Sequence, residues 1–219
     1  MCGRFSQNHS WEDVWRFHLG MPPKTPPPND YRENLDTRPT VASPICLQDG
    51  GEKTIVLARW WFQPDWAKAF ETKFATFNAR SEKVLQSKAF APAFRRAQRC
   101  LVPMDRIYEW TGPKGDRQCW SIKVRGQPQF ALAGLFNRHK DMLDQDGQSV
   151  DYSFTIFTTA PSSSFSAYHD RMPRPLPRAD YDRWLDPDTS PDQAMDMLRP
   201  LDEEKDGLQW EFEAVAKPG

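Results

Sequence analysis

The sequence has no long apolar segment and little net charge. None of its apolar runs approaches the roughly 18–20 residues that span a bilayer, so we expect no membrane-spanning helix. The first residues do not form a basic segment followed by an apolar one, so we expect no secretory signal and a cytoplasmic protein, or a nuclear one in a eukaryote. The formal net charge of -1 argues against a surface that is basic all over, but it permits a local basic face.

Cysteine is also scarce. The 219 residues include 4 cysteines, with no pair at C-x-x-C spacing and no histidine at ligand spacing, so we expect no metal and no other cofactor. In a reducing compartment, Cys46, Cys100 and Cys119 are expected to be small, buried apolar residues. Cys2 is different, because it follows the initiator methionine.

The chemistry of Cys2 depends on Met1. Cysteine is small enough for a methionine aminopeptidase to remove a methionine that precedes it. Removal would leave an α-amine, with a reference pKa of about 7.7–8.0, and a thiol, with a reference pKa of about 8.5, on one residue. A 1,2-aminothiol condenses with an aldehyde to a Schiff base and then closes a five-membered thiazolidine ring, which no internal cysteine can do. The alternative is that residue 2 belongs to an ordinary frayed terminus.

The remaining composition predicts one α+β domain over residues 1–219. The sequence has 9 Trp and 14 Phe, which are enough large apolar side chains for a core. Many short alternating segments in the middle of the chain predict a partly open, barrel-like mixed sheet with a few short flanking helices. The proline-rich residues 21–44 predict an extended surface loop. Residues 200–219 form a divergent tail in which a last strand can begin at residue 209.

A short amphipathic helix is predicted near the N-terminus. Ser10 is a good N-cap, and Asp13 occupies the position that completes a capping box. Apolar side chains then recur at helical spacing until Gly20, where we expect the helix to end. His18 is predicted to lie on the surface of this helix.

A second helical region, residues 81–99, has an excess of basic side chains. We expect it to be helical in pieces and interrupted near Pro92. Glu82 is the only acidic residue among its lysines and arginines. The sequence leaves open whether the basic side chains form a solvated helix face or contact phosphates. The basic residues are Lys83, Lys88, Arg95, Arg96 and Arg99.

Four short motifs occur in a characteristic order. They are MCGRF at residues 1–5, FNARSE at 77–82, YEW at 108–110 and HDRMP at 169–173. Together they resemble the SOS response-associated peptidase (SRAP) family, and the resemblance extends over roughly residues 1–185. The sequence departs from the family where Trp61 and Arg106 replace usual glycines, and the usual C-terminal segment is not recognisable. The chain therefore resembles a divergent, C-terminally shortened member.

The resemblance implies a function in the response to DNA damage. By resemblance to this family, we expect a compact α+β domain that recognises abasic sites in single-stranded DNA, including sites at junctions with duplex DNA, and that cross-links to them. The aldehyde of the ring-opened deoxyribose becomes a thiazolidine with Cys2. The resemblance further implies self-removal of Met1, an abasic-site lyase activity, a monomer without cofactors, and a location with the nucleoid in bacteria.

The resemblance also assigns roles to individual residues. Cys2 would be the nucleophile and Asn78 would hold its amine in place. Glu109 would be the general acid and base, and His169 would move a proton at the opened sugar. The implied DNA-binding residues, with the arginines on phosphates and the tryptophan near the bases, are Arg4, Arg80, Lys88, Trp110 and Arg171.

Each of these residues has a structural alternative. Glu109 could be the solvent-facing residue of a strand, Asn78 a turn residue, and His169 a partner of Asp170 in a loop, while the arginines could be surface charges.

Three other functions also stay open. They are an autoprocessing cysteine peptidase, which needs a Cys–His pair and an oxyanion hole, a non-catalytic single-stranded DNA-binding module with a strong salt dependence, and a protein-interaction module that uses the proline-rich loop.

Overall fold

Strands form most of the regular structure. The computed structural model describes residues 2–216, and its strands form two sheets. In chain order the strands are β1 (Phe5–Gln7), β2 (Asn34–Thr37), β3 (Ala42–Asp49), β4 (Glu52–Trp60), β5 (Asn78–Arg80), β6 (Arg99–Met104), β7 (Arg106–Thr111), β8 (Gln118–Val124), β9 (Phe130–Arg138), β10 (Tyr152–Thr159), β11 (Met172–Pro173) and β12 (Trp210–Val215).

The first sheet is antiparallel and open, with the strand order β12-β8-β7-β1-β2. The second sheet closes on itself. Its β10–β4 pairing is parallel, the β4–β3, β3–β6 and β6–β9 pairings are antiparallel, and an antiparallel β9–β10 pairing completes a ring of strands. A mixed sheet with short flanking helices confirms the predicted α+β class.

Two short strands extend the far end of β10. β5 pairs with it in parallel, with Asn78 opposite Ile156, and β11 pairs with it antiparallel, with Pro173 opposite Thr158. Because both additions lie at the same end of one strand, the motifs around residues 78 and 171 become neighbours although they are far apart in the sequence.

The helices are short: α1 (Trp11–Val14), α2 (Ala91–Arg95), α3 (Tyr181–Leu185) and α4 (Pro191–Met197). α1 has the predicted capping box of Ser10 and Asp13 and continues as a π-helix, Trp15–Leu19. It ends at Gly20, whose φ of 69° is left-handed and suits glycine. Further 3₁₀-helical segments are Ser81–Gln86, Phe165–Ala167 and Arg178–Asp180. Within residues 2–216, no helix is both long and apolar enough to cross a membrane.

Two predicted segments differ from the structure. Residues 21–44 are not irregular throughout, since β2 lies within them on the edge beside β1, and β3 begins at Ala42. Residues 81–99 are helical in two pieces with a break at residues 87–90, as predicted, and only the cause of the break differs. Pro92 lies in the first turn of α2, where its missing N–H leaves no helical hydrogen bond unmade.

The end of the chain belongs to the first sheet. β12 pairs with β8 over six residue pairs, from Trp210 opposite Val124 to Val215 opposite Cys119. The tail therefore does supply a last strand, and residues 217–219 lie outside the described part of the chain.

The prediction that His18 lies on the helix surface is wrong. Its side chain is 2% exposed, its Nε2 lies 3.1 Å from Oε1 of Gln129, and its ring stacks on Tyr181 at 5.9 Å. Gln129 and Tyr181 of α3, which come from distant parts of the chain, cover the ring. Burial lowers the pKa of His18 to about 3.

This buried histidine should make stability depend on pH. The unfolded chain binds a proton at His18 near pH 6.5, whereas the folded chain does not until about pH 3, so the free energy of unfolding should fall as the pH drops between these values. From pH 7 to pH 5 we expect protonation of His18 alone to lower the free energy of unfolding by about 2 kcal/mol. Urea unfolding of wild type and His18→Gln tests this: the difference in stability should shrink toward pH 5, and parallel pH profiles would contradict it.

Candidate active site

The pairing of β1 with β7 places the N-terminal residues. Phe5 lies opposite Ile107, and the backbone N–H of Tyr108 donates to the carbonyl of Arg4 at 2.9 Å. Cys2 is completely buried in a core that includes side chains from both sheets. The chain start therefore lies along the strand that contains Glu109.

Asn78 anchors this segment from the other sheet. Its Nδ2 donates to the carbonyl oxygen of Cys2 at 2.7 Å. Its Oδ1 is buried and has no hydrogen-bond partner among the described residues. Asn78 is the first residue of β5 and pairs with β10, so the turn-residue interpretation is wrong. One amide thus fixes the backbone of Cys2 and keeps an acceptor available beside it.

Glu109 is a buried carboxyl and not a solvent-facing strand residue. It is 5% exposed, and its Oε1 makes no hydrogen bond within residues 2–216. Burial raises the pKa of Glu109 to about 7, and the charge of Asp170 adds to the effect. A carboxyl with this pKa is partly protonated at neutral pH, as a general acid and base requires.

The thiol of Cys2 is held in its neutral form. Burial, together with the nearby charge of Glu109, raises the pKa of Cys2 to about 12. A thiolate is therefore rare at neutral pH, which bears on the order in which amine and thiol react.

His169 lies on the loop before β11. Its Nδ1 accepts the backbone N–H of Arg171 at 2.9 Å, and a carboxylate oxygen of Asp170 lies 2.6 Å from the same nitrogen. Burial lowers the pKa of His169, so the ring is neutral at neutral pH. Asp170 therefore lies beside the ring, as expected, but Nδ1 of the neutral ring accepts from Arg171 and has no proton to give to the carboxylate. The ring also faces a cavity.

This cavity brings together residues from three motifs. It has a volume of about 550 Å³ and lies between the chain start, β7 and the His169 loop. Both proposed acid–base residues open onto it. The lining residues are Gly3, Arg4, Arg38, Pro39, Tyr108, Glu109, Trp110, Gly112, Arg117 and His169.

Two predicted DNA-binding residues, Arg4 and Trp110, lie in this cavity. The guanidinium of Arg4 lies 5.3 Å from the ring centroid of Trp110 and forms a two-bond ion pair with Asp36. Arg38 bonds the same carboxylate at 2.6 Å. The bond from Arg4 lowers the pKa of Asp36 to about 2, so Asp36 remains an anion that orients both guanidinium groups.

The other three predicted DNA-binding residues lie outside the cavity. Arg80 is exposed and lines a second cavity, of about 410 Å³, next to Asn78. Lys88 is exposed in a separate apolar groove with Trp66 and Phe74. Arg171 is already engaged, because it bonds both carboxylate oxygens of Glu82 at 2.9 Å and the carbonyl of Thr158 at 2.7 Å.

Two basic residues of the cavity were not predicted from the sequence. Arg38 and Arg117 both line it, yet Arg38 lies in the proline-rich segment and Arg117 follows a turn, and single charges in loops show no periodic pattern. No group of three or more His, Cys, Asp or Glu side chains in residues 2–216 is arranged to hold a metal ion.

The fold is shared with solved structures of bacterial proteins. A Bordetella bronchiseptica protein is similar with a TM-score of 0.77 and 23% identity, covering 99% of this chain and 100% of that one. A Bacteroides thetaiotaomicron protein is similar with a TM-score of 0.75 and 22% identity, covering 98% of this chain and 92% of that one. These likenesses establish the class of fold.

The sequence establishes the family. Residues 1–217 match the model of the SOS response associated peptidase (SRAP) family, and this chain belongs to it. It is 31% identical over 208 residues to the abasic site processing protein YoaM of Bacillus subtilis, covering 92% of this chain and 87% of that protein. It is also 26% identical to the abasic site processing protein HMCES of Gallus gallus, covering 78% of this chain and 60% of that protein. The resemblance to the SRAP family is thus confirmed.

The buried Glu109 should destabilise the fold at high pH. Its pKa is raised from 4.5 to about 7, so the folded state holds a proton that the unfolded chain has already released, and stability is lost as the pH rises through this range. We compare the free energy of unfolding of Glu109→Gln with that of wild type at each pH. The difference, variant minus wild type, should be roughly 3 kcal/mol larger at pH 8 than at pH 4.5. Denaturant unfolding at both pH values measures this, and a difference that does not change with pH would contradict the raised pKa.

Proposed function

We propose that this protein senses abasic sites in single-stranded DNA and cross-links to them through both nucleophiles of Cys2. The names of the relatives support abasic sites as the target. The observation that carries the proposal is the hydrogen bond from Asn78 to the carbonyl of Cys2, next to one cavity that Glu109 and His169 both line. Single-stranded DNA, with or without a duplex junction, is the proposed partner of a cytoplasmic or nuclear monomer.

The reaction requires a free α-amine on Cys2, so Met1 must first be removed. Hydrolysis of the Met1–Cys2 peptide bond by an aminopeptidase or by the protein itself would supply it. The unpaired Oδ1 of Asn78 is then suited to accept a hydrogen bond from the new amine, while Nδ2 continues to hold the Cys2 carbonyl. The amine would thereby be fixed relative to Glu109.

The chemistry proceeds in two steps without oxidation or reduction. The amine nitrogen of Cys2 attacks the aldehyde carbon, and protonated Glu109 donates a proton to the resulting hydroxyl, which leaves as water. The imine keeps one proton of the former amine and is positively charged. The Cys2 sulfur then adds to its carbon, and the thiol proton passes to the Glu109 carboxylate, which restores the acid. One C–N bond and one C–S bond form, and one water is released.

The amine acts first because the thiol is protonated. A thiol with a pKa of about 12 has a thiolate fraction on the order of 10⁻⁵ at pH 7. Glu109 becomes a carboxylate once it has given up its proton, and it can then accept the thiol proton as sulfur attacks. The same carboxyl therefore serves both steps in opposite directions.

His169 and the basic residues would act on the DNA itself. Neutral His169 can accept a proton from the sugar hydroxyl as the ring opens, and a proton withdrawn next to the imine would lead to strand cleavage by β-elimination, the proposed lyase activity. Arg4 beside Trp110 can contact a phosphate next to a stacked base. Arg80 and Lys88 are exposed for further phosphate contacts, and Arg171 is better suited to holding the His169 loop.

The geometry disfavours the cysteine-peptidase alternative. Such an enzyme needs a thiolate made by a neighbouring histidine, whereas burial and the charge of Glu109 both raise the pKa of the Cys2 thiol. The non-catalytic DNA-binding alternative is separated from the proposal by experiment.

A denaturing gel provides that experiment. Protein whose Met1 removal is verified by mass spectrometry is incubated with single-stranded DNA that contains one abasic site. We expect a heat-resistant, slowly migrating band that needs both the abasic site and Cys2, and that is lost in Cys2→Ala. Binding without such a band would establish the non-catalytic module instead, and intact DNA serves as the control.

The acid–base residues should affect the rate and not the identity of the product. Glu109→Gln should slow cross-linking by roughly 100-fold or more, because the amide cannot donate or accept the proton. In wild type the pH profile of the rate should contain a transition near 7, the pKa of Glu109, and this transition should vanish in Glu109→Gln, which keeps only the titration of the α-amine. Rates from time-resolved gels between pH 5.5 and 8.5 measure this, and an unchanged profile would assign the proton transfer to another group.

A further inference from the structure

Three aromatic side chains form a stack next to the His169 loop. The rings of Tyr168 and Phe212 lie parallel at 4.0 Å, with an interplanar angle of 4°. The rings of Trp120 and Tyr168 meet edge to face, with their centroids 4.9 Å apart and an interplanar angle of 77°. We call Trp120, Tyr168 and Phe212 the aromatic stack. They come from β8, from the loop before His169 and from β12.

One end of the aromatic stack is tied to Glu109. In the β7–β8 pairing, Trp120 is directly opposite Glu109, so both side chains lie on the same face of the first sheet. Nε1 of Trp120 donates to Oγ1 of Thr111 at 2.8 Å, which fixes the indole on that face.

The other end is tied to His169, which follows Tyr168 in the chain. The backbone N–H groups of Tyr168 and His169 donate to the carbonyl of Phe165 at 2.9 and 3.3 Å. Phe165 packs on Trp210 and Phe212 of β12 at 5.5 and 6.0 Å. The turn that contains His169 therefore rests on the C-terminal strand.

The stack lies at the surface, which separates it from ordinary core packing. All three of its rings are only partly buried, unlike Phe165 and Trp210 beneath them. A parallel contact at 4.0 Å restrains the plane of Tyr168, and hence the direction in which the next residue projects. β12 itself is an edge strand, held to the sheet by β8.

We propose that Phe212 is a positioning residue that sets His169 relative to Glu109 by clamping Tyr168 against Trp120. This inference rests on the proposed function for its kinetic consequence. Neither Cys2 nor Asn78 makes a described hydrogen bond to Phe212 or to the His169 loop, so loss of the clamp should impair the His169-dependent step alone.

The test compares Phe212→Leu, which keeps apolar volume but has no flat ring, with Phe212→Tyr, which can still stack and whose hydroxyl can reach solvent. We expect Phe212→Leu to slow cross-linking by roughly tenfold to 100-fold and Phe212→Tyr to react like wild type. The double variant Phe212→Leu with His169→Ala should be no slower than His169→Ala alone, because both changes remove the same step. Leu198 is buried in a second hydrophobic cluster that does not include Cys2 or Phe165, so Leu198→Ala controls for lost stability.

Three results would overturn the inference. They are a wild-type rate in Phe212→Leu, independent multiplication of the two effects in the double variant, or an equal slowing in Leu198→Ala at a temperature where all variants are folded.

A second readout does not depend on cross-linking. In protein with ¹³C-labelled histidine, the ring signal of His169, assigned by its loss in His169→Ala, should shift in Phe212→Leu but not in Phe212→Tyr. If wild type forms no cross-link, the proposed function is wrong. An unshifted His169 signal in Phe212→Leu would overturn the positioning role of Phe212, whatever the outcome of the cross-linking assay.

Discussion

The antiparallel pairing of β1 with β7 is the constraint on which the site depends. It has few residues, and the backbone bond from Tyr108 to Arg4 continues it beyond the strand. Because side chains alternate along a strand, this register determines that Glu109 faces the buried chain start and not solvent. A shift of one residue would turn Glu109 away from Cys2, and the cavity would lose its carboxyl. Asn78 secures the same segment from the second sheet, so the site lies where the two sheets meet.

Burial gives the site its chemistry at a cost in stability. The carboxyl of Glu109 lacks a partner for Oε1 among the described residues, which is unfavourable in a protein interior but keeps its pKa near neutrality. The Cys2 thiol is neutral for the same reason. Asp36 has the opposite role, since it is ionised and orients Arg4 and Arg38 at the mouth of the cavity. A neutral interior with a cationic rim suits an aldehyde attached to a phosphate chain.

Local sequence patterns predicted the secondary structure well and the environment of single residues less well. The capping box at Ser10 and the strands β8–β10 were predicted from local patterns, and the structure has both, although β9 and β10 are buried almost throughout and not on one face only. The burial of His18 could not be read from its helix, because Gln129 and Tyr181 enclose it from distant parts of the chain. Only the resemblance to a family singled out Glu109, since a glutamate between two aromatic residues is an ordinary solvent-facing pattern. The aromatic stack joins β8, β12 and a loop, and no local pattern connects them.

The most direct test of the account is to identify the atoms joined to DNA. The cross-linked protein is digested without any reducing agent, and the peptide that begins at Cys2 is sequenced by mass spectrometry. We expect the sugar remnant on Cys2, at the mass of the aldehyde minus one water, with a thiol that iodoacetamide no longer alkylates. A remnant on a lysine, or a Cys2 adduct whose thiol is still alkylated, would contradict a ring that uses both the amine and the sulfur.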